Sequence, residues 1–164
     1  MTIMEPRIVL LPPKKLIGIH LRMSLQNNRT AELWKSFMPR RKEISGIVSS
    51  DLYHLQIFDT IFDYASFSPA VEYERWAAVE VNECTDVPAG MELYNFTGGS
   101  YAVFVHKGPP SAFRGTFDRI YKDWLPSSIY TVDTREHFEL LGEKYKNGDP
   151  ESEEEIWVPI TKKL

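Results

Sequence analysis

Two prolines constrain this chain more than any other residues. Pro39 and Pro126 each close a stretch in which apolar side chains recur at helical spacing. Leu33, Trp34 and Phe37 precede the first, and Phe113, Phe117, Ile120, Tyr121 and Trp124 precede the second. A proline has no amide N–H and its ring clashes with the turn before it, so each helix stops near its proline. The two prolines stand 87 positions apart, as do Trp34 and Tyr121. Thr30 is placed to cap the first helix. Short apolar or alternating runs surround the helices and read as strands: residues 16–23, 51–58 and 75–81 in the first half, and 91–96, 100–106 and 156–160 in the second. Residues 8–11 and 138–141 are further short apolar segments, and Gly98-Gly99 reads as a hairpin turn.

The pattern predicts an α+β fold made of two β-α-β-β units, about residues 6–86 and 90–164, related by a pseudo-twofold axis within one domain spanning 1–164. Helices are expected on one side of an antiparallel sheet, with a ligand cleft between the halves. At 164 residues, 43% of them hydrophobic, the chain is long enough to bury a substantial core. Aromatic content is high, with four Trp, eight Tyr and nine Phe, and aromatics with polar tips suit both cores and binding sites.

The net charge of −4 lacks the basic stripe that displaces counterions from a phosphate backbone, so direct nucleic-acid binding is not expected. Cys84 is the single cysteine, which excludes an intrachain disulfide and a cysteine-based zinc cluster. No signal-peptide pattern and no membrane-length apolar run is present, which predicts a cytoplasmic protein that does not enter a membrane. His20, His54, His106 and His137 are scattered, without metal-ligand spacing, and no phosphate-cradling glycine loop or G-x-S-x-G elbow occurs. Neither a metal nor a cofactor is expected.

The last strand carries the strongest chemical signal. Alternation puts Ile156, Val158 and Ile160 on one face and Glu155, Trp157 and Pro159 on the other. The aliphatic set suits the helix-covered face. Pro159 points to an edge or terminal strand. A carboxylate beside an indole can hold a cation, because the ring face and the charge act together. The alternative is that Glu155 merely ends the solvated run from Glu151 to Glu154. Trp76 repeats the pattern in the first half, sharing a face with Glu74 and Glu80.

Taken together, residues 98–108, the helix ending at 121–128, residues 133–139 and the strand 155–160 resemble the GyrI-like small-molecule-binding domain, also called the AraC-type effector-binding domain. That resemblance implies a duplicated β-α-β-β fold with a pocket between its halves. It also implies a pocket of acidic and aromatic residues, here Glu155 and Trp157 as the central pair and Glu139 as a second acidic wall. Where the family often has a Tyr two residues after that glutamate, this chain has Leu141.

The expected function is a stand-alone binder, sensor or sequestering protein for hydrophobic, cationic small molecules, using Glu155, Trp157, Glu139 and Trp76. No DNA-binding segment is expected ahead of the domain, and a monomer or homodimer is expected. Two alternatives stay open. One is a hydrolase of cyclopropane-bearing or similar electrophiles, with Glu155 as general base. The other is a module that docks on gyrase or another protein partner.

Overall fold

Helix α1 (Thr30–Phe37) and strand β2 (Lys14–Met23) form where the apolar spacing places them. The helix stops at Phe37, and a 3-10 turn over Met38–Glu43 takes Pro39 into its start. Thr30 is the first helical residue and makes no side-chain cap; instead the Asn28 Oδ1 accepts the Thr30 N–H at 2.9 Å. The computed structural model describes residues 5–83, 86–146 and 149–164, so Cys84 lies outside the described residues. The remaining strands of the first half are β1 (Arg7–Leu11), β3 (Leu52–Ile57) and β4 (Tyr73–Val81).

The second half supplies β5 (Glu92–Phe96), β6 (Gly99–Lys107), β7 (Tyr130–Val132), β8 (His137–Leu141) and β9 (Glu153–Lys162). Its helix α2 (Phe113–Asp118) runs on into a π-helical segment, Arg119–Trp124, and a last turn, Leu125–Ser127.

All strand pairings are antiparallel, and the main path runs β1-β6-β9-β8-β3-β4-β2-β5, with β7 pairing β9. From both ends inward, the order is a palindrome of equivalent strands about the β8–β3 seam. The first strand of each half is exchanged. β1 pairs with β6 of the second half, and β5 pairs with β2 of the first. The expected hairpin at Gly98-Gly99 is therefore corrected to a crossover: β5 and β6 are adjacent in sequence, but β5 is the edge strand at one end of the path and β6 lies second from the other end. Gly98 (φ +83°) lets the chain turn there, and a Cβ on it would meet the Leu11 carbonyl oxygen at 2.5 Å. Pro159 likewise lies in an interior strand instead of an edge. It sits where β9 changes partner from β8 to β7, and its carbonyl accepts the Asp133 N–H at 2.9 Å.

Both helices pack on one face of the sheet. Leu33 and Phe37 of α1 bury against Ile17, Ala77, Val79 and Val81, while Ile120 and Trp124 bury against Ala102, Phe104, Ile156, Val158 and Ile160. Each fully buried Leu, Ile or Phe stabilises the fold by roughly 1.5–3 kcal/mol relative to exposure. The opposite face carries its own core, in which Leu16, Trp76, Phe96, Tyr101, Phe138 and Trp157 meet.

Gly115 lies inside α2, and a Cβ added to it would meet nothing within 4 Å. Gly115→Ala is expected to stabilise the protein by about 0.5–1 kcal/mol, raising Tm by about 1–4 °C in a thermal melt. Gly98→Ala is expected to lower Tm, because strain at positive φ adds to the collision with Leu11.

Candidate functional site

The β3–β8 pairing brings the two halves together and sets four polar side chains on the helix-covered face. His54 lies opposite Glu139, and Gln56 lies opposite His137. Arg75, on β4 beside Gln56, reaches across to the first pair. Its Nε donates to His54 Nε2 at 2.6 Å and its Nη2 lies 2.8 Å from Nδ1, the ring nitrogen that also faces Glu139 Oε2 at 3.4 Å. Arg75 Nη2 also lies 3.4 Å from both Glu139 oxygens. The Trp34 ring of α1 closes over His54 edge-on at 5.2 Å.

Charge in this buried group is balanced internally. Burial alone favours a neutral Glu139, but the Arg75 guanidinium and then His54 bring its carboxyl down to about 2. Burial, and then Arg75, brings His54 down to about 4, so the imidazole is neutral at pH 7. Glu154, on the same face of β9, is pushed up to about 8 by burial and by the neighbouring Glu139 charge. One buried carboxylate thus has a resident cation, and the next holds its proton near neutrality.

Beside this group a cavity of about 650 Å³ opens between α2 and the β3–β4 connection. Phe58, Phe62, Tyr64 and Phe67 of that connection form one wall, and Phe117 and Tyr121 form the other. Phe62 lies 5.2 Å from Tyr121, and Tyr64 stacks on Tyr121 at 5.0 Å and 11°. Gln56 and His137 form the floor. His137 is 6% exposed, and burial together with nearby Arg135 brings it down to about 3, so it is neutral. Phe58 and Phe62 approach its ring at 5.0 and 5.3 Å. At the rim stand Arg114, Asp118 and Lys122; Asp118 accepts from the Tyr64 hydroxyl at 2.6 Å and pairs with Lys122 at 3.4 Å. A cavity of about 500 Å³ shares Phe58, Phe62 and Phe67 with this one, and there Arg22 is already paired with Asp59.

The four residues singled out in the sequence do not form one site. Glu139 lies on the helix-covered face, at the seam. Trp76 and Trp157 lie together in the core of the other face. Trp157 stacks on Phe138 at 5.0 Å, and its indole N–H donates to Glu155 at 3.1 Å. Glu155 is 28% exposed at its side chain and also accepts from Arg7 at 3.0 Å. Trp76 stacks on His20 at 4.5 Å and donates to Glu74, the same i to i−2 relation that links Trp157 to Glu155. Neither Trp76, Glu155 nor Trp157 lines the 650 Å³ cavity. Phe58, Phe62, His137 and Gln56 escape a reading of the sequence. His137 does leave a signal: it is two residues before Glu139, so alternation puts both on one face.

Two mirrored half-sheets with an aromatic-walled cavity at their seam define a small-molecule-binding module. The chain belongs to the family of GyrI-like small molecule binding domains, whose model matches residues 4–161. It is similar to the transcriptional regulator BrlR of Pseudomonas aeruginosa, at 27% identity over 158 residues, which cover 96% of this chain and 56% of the regulator. The chain thus spans little more than half the length of that relative. Among solved structures it is similar to the C-terminal domain of EcmrR, with a TM-score of 0.73 and 14% identity over 99% of this chain and 100% of that one. It is also similar to SAV2435 bound to tetraphenylphosphonium, with a TM-score of 0.63 and 20% identity over 96% and 94% of the two chains. At these identities the solved structures share the fold. Among the described residues no helix is long and apolar enough to cross a membrane.

The buried ionisable groups set a pH profile. His54, His137 and Glu139 have lowered folded-state values, so their contribution is present above their unfolded values and is lost as pH falls through about 4, 3 and 2. Glu154 is raised, so its contribution is present below its unfolded value near 4.5 and is lost as pH rises to about 8. Stability is therefore expected to peak at pH ~6.5, where neutral histidines cease to cost stability. Melts from pH 4 to 9 check this, and Glu154→Gln should flatten the limb between the peak and pH 8.

Proposed function

We propose that this chain binds a hydrophobic small molecule in the aromatic cavity at the β3–β8 seam and acts as a sensor or sequestering module. The observation that carries this reading is the cavity itself: about 650 Å³, walled by six aromatic rings, with a polar floor of Gln56 and His137. Ligand sites of small molecules occupy about 300–1,000 Å³ and combine apolar walls with a few fixed polar groups. Removing ~300 Å² of ligand apolar surface from water contributes roughly 7 kcal/mol before ordering costs are subtracted.

Occupancy has a route to the rest of the fold. The Tyr64–Tyr121 stack and the Tyr64–Asp118 hydrogen bond tie the β3–β4 connection to α2. A ligand that parts or rebuilds these contacts changes how the two halves are held together. Such a shift is the kind of output an effector-binding module hands to a partner, whether joined to it or separate. A hydrolytic role for Glu155 is not favoured, because that carboxylate faces away from the cavity and holds Arg7 and the Trp157 indole.

Titration with the uncharged dye Nile red tests the reading. One saturable site is expected, with a rise in fluorescence. Phe62→Ala and Tyr121→Ala should each weaken binding at least about tenfold, the equivalent of 1.4 kcal/mol. Trp157→Phe should leave the affinity unchanged. Loss of binding in Trp157→Phe, with full binding in both cavity variants, would place the ligand on the other face.

A further inference from the structure

Each carboxylate that could attract a cation to the cavity already has one. Glu139 is held by Arg75 and His54, and Asp118 by Lys122 and the Tyr64 hydroxyl. Among the described residues lining the cavity, Asp118 is the one carboxylate, whereas two cations, Arg114 and Lys122, line it. Arg114 is exposed and has no hydrogen bond or ion pair among the described residues. A lipophilic cation entering here would leave water for a rim that carries more positive than negative charge and a floor without a free anion. An unmatched charge is expensive to bury.

The floor asks for a different group. The His137 imidazole is neutral, nine-tenths buried and at the cavity floor, and its ring nitrogens have no hydrogen-bond partner among the described residues. Gln56, its partner across the β3–β8 ladder, lines the same floor with its amide also unpaired among the described residues. The polar atoms of His137 and Gln56 are not sealed from solvent, and a neutral imidazole beside an amide offers a ligand both a donor and an acceptor. A hydroxyl can satisfy them at once, donating to one and accepting from the other. The stacked Tyr64 and Tyr121 rings and the Phe62 and Phe117 faces favour a flat aromatic body.

From this juxtaposition we propose that the cavity selects a planar hydroxyaromatic compound, uncharged or weakly acidic, whose hydroxyl bonds to His137 and Gln56, over a lipophilic cation. The proposal rests on the cavity being the binding site. It makes His137 and Gln56 the specificity-determining residues and Arg75 the residue that removes cation preference by occupying Glu139. A hydroxyl that ionises on binding would find Arg114 and Lys122 at the rim, so weak acidity is tolerated where positive charge is not.

Displacement of Nile red by three competitors tests this: a hydroxyflavone, its methyl ether, and tetraphenylphosphonium. The hydroxyflavone is expected to displace the dye at a concentration at least about tenfold below either of the others. His137→Phe keeps an aromatic ring and removes the nitrogens, so it should bring hydroxyflavone and methyl ether to equal potency. Gln56→Leu gives an independent second variant with a smaller loss in the same direction. Displacement by tetraphenylphosphonium as strong as by hydroxyflavone overturns the proposal while the binding reading stands. So does a hydroxyl preference that survives both variants in protein whose melt shows it folded. If Nile red itself shows no saturable site, the binding reading fails and this proposal fails with it.

Discussion

Where β3 and β8 run antiparallel across the pseudo-twofold axis, two repeats that each carry an incomplete sheet become one molecule. That ladder sets His54 against Glu139 and Gln56 against His137, so residues 85 or 81 positions apart in the chain become neighbours. It is reinforced at the periphery by the exchange of first strands, β1 onto β6 and β5 onto β2. Each half therefore needs the other to finish its sheet. Backbone pairing sets the register of the seam, and on the helix-covered face Arg75 and His54 reach across it to Glu139.

The same geometry governs the electrostatics. Placing two glutamates and two histidines on one buried patch would be unfavourable without compensation, and Arg75 supplies it. Glu139 keeps its charge because the guanidinium is beside it, while at Glu154 burial and the Glu139 charge outweigh Arg75, so it retains its proton to about pH 8. A buried carboxylate paired with a resident arginine no longer acts as an open cation site. The cavity next to it is then governed by aromatic surface and by neutral polar groups on its floor.

Much of this fold is legible in the sequence, for reasons that can be named. Helical spacing before Pro39 and Pro126 locates both helices, and alternation in residues 156–160 separates Ile156 and Val158, which meet α2, from Trp157, which does not. The resemblance to GyrI-like domains gives the duplication its correct form. Alternation states which face a side chain takes and says nothing about which strand lies alongside, so the crossover at Gly98 reads as a hairpin. The site is less legible for a related reason. Glu155 and Trp157 are adjacent on one face; Trp157 packs in the core opposite the helices, Glu155 accepts from its indole and from Arg7, and neither lines the 650 Å³ cavity. The actual cavity wall comes from the irregular aromatic stretch between Phe58 and Phe67, whose side chains follow no period. Arg75, which neutralises Glu139 from 64 positions away, leaves no local trace at all.

We place the ligand at the β3–β8 seam, on the helix-covered face. Intermolecular nuclear Overhauser contacts between bound Nile red and the protein's ring protons test this placement most directly. Contacts are expected to Phe62, Phe117 and Tyr121, and none to the indoles of Trp76 and Trp157. Contacts centred on those two indoles would contradict it.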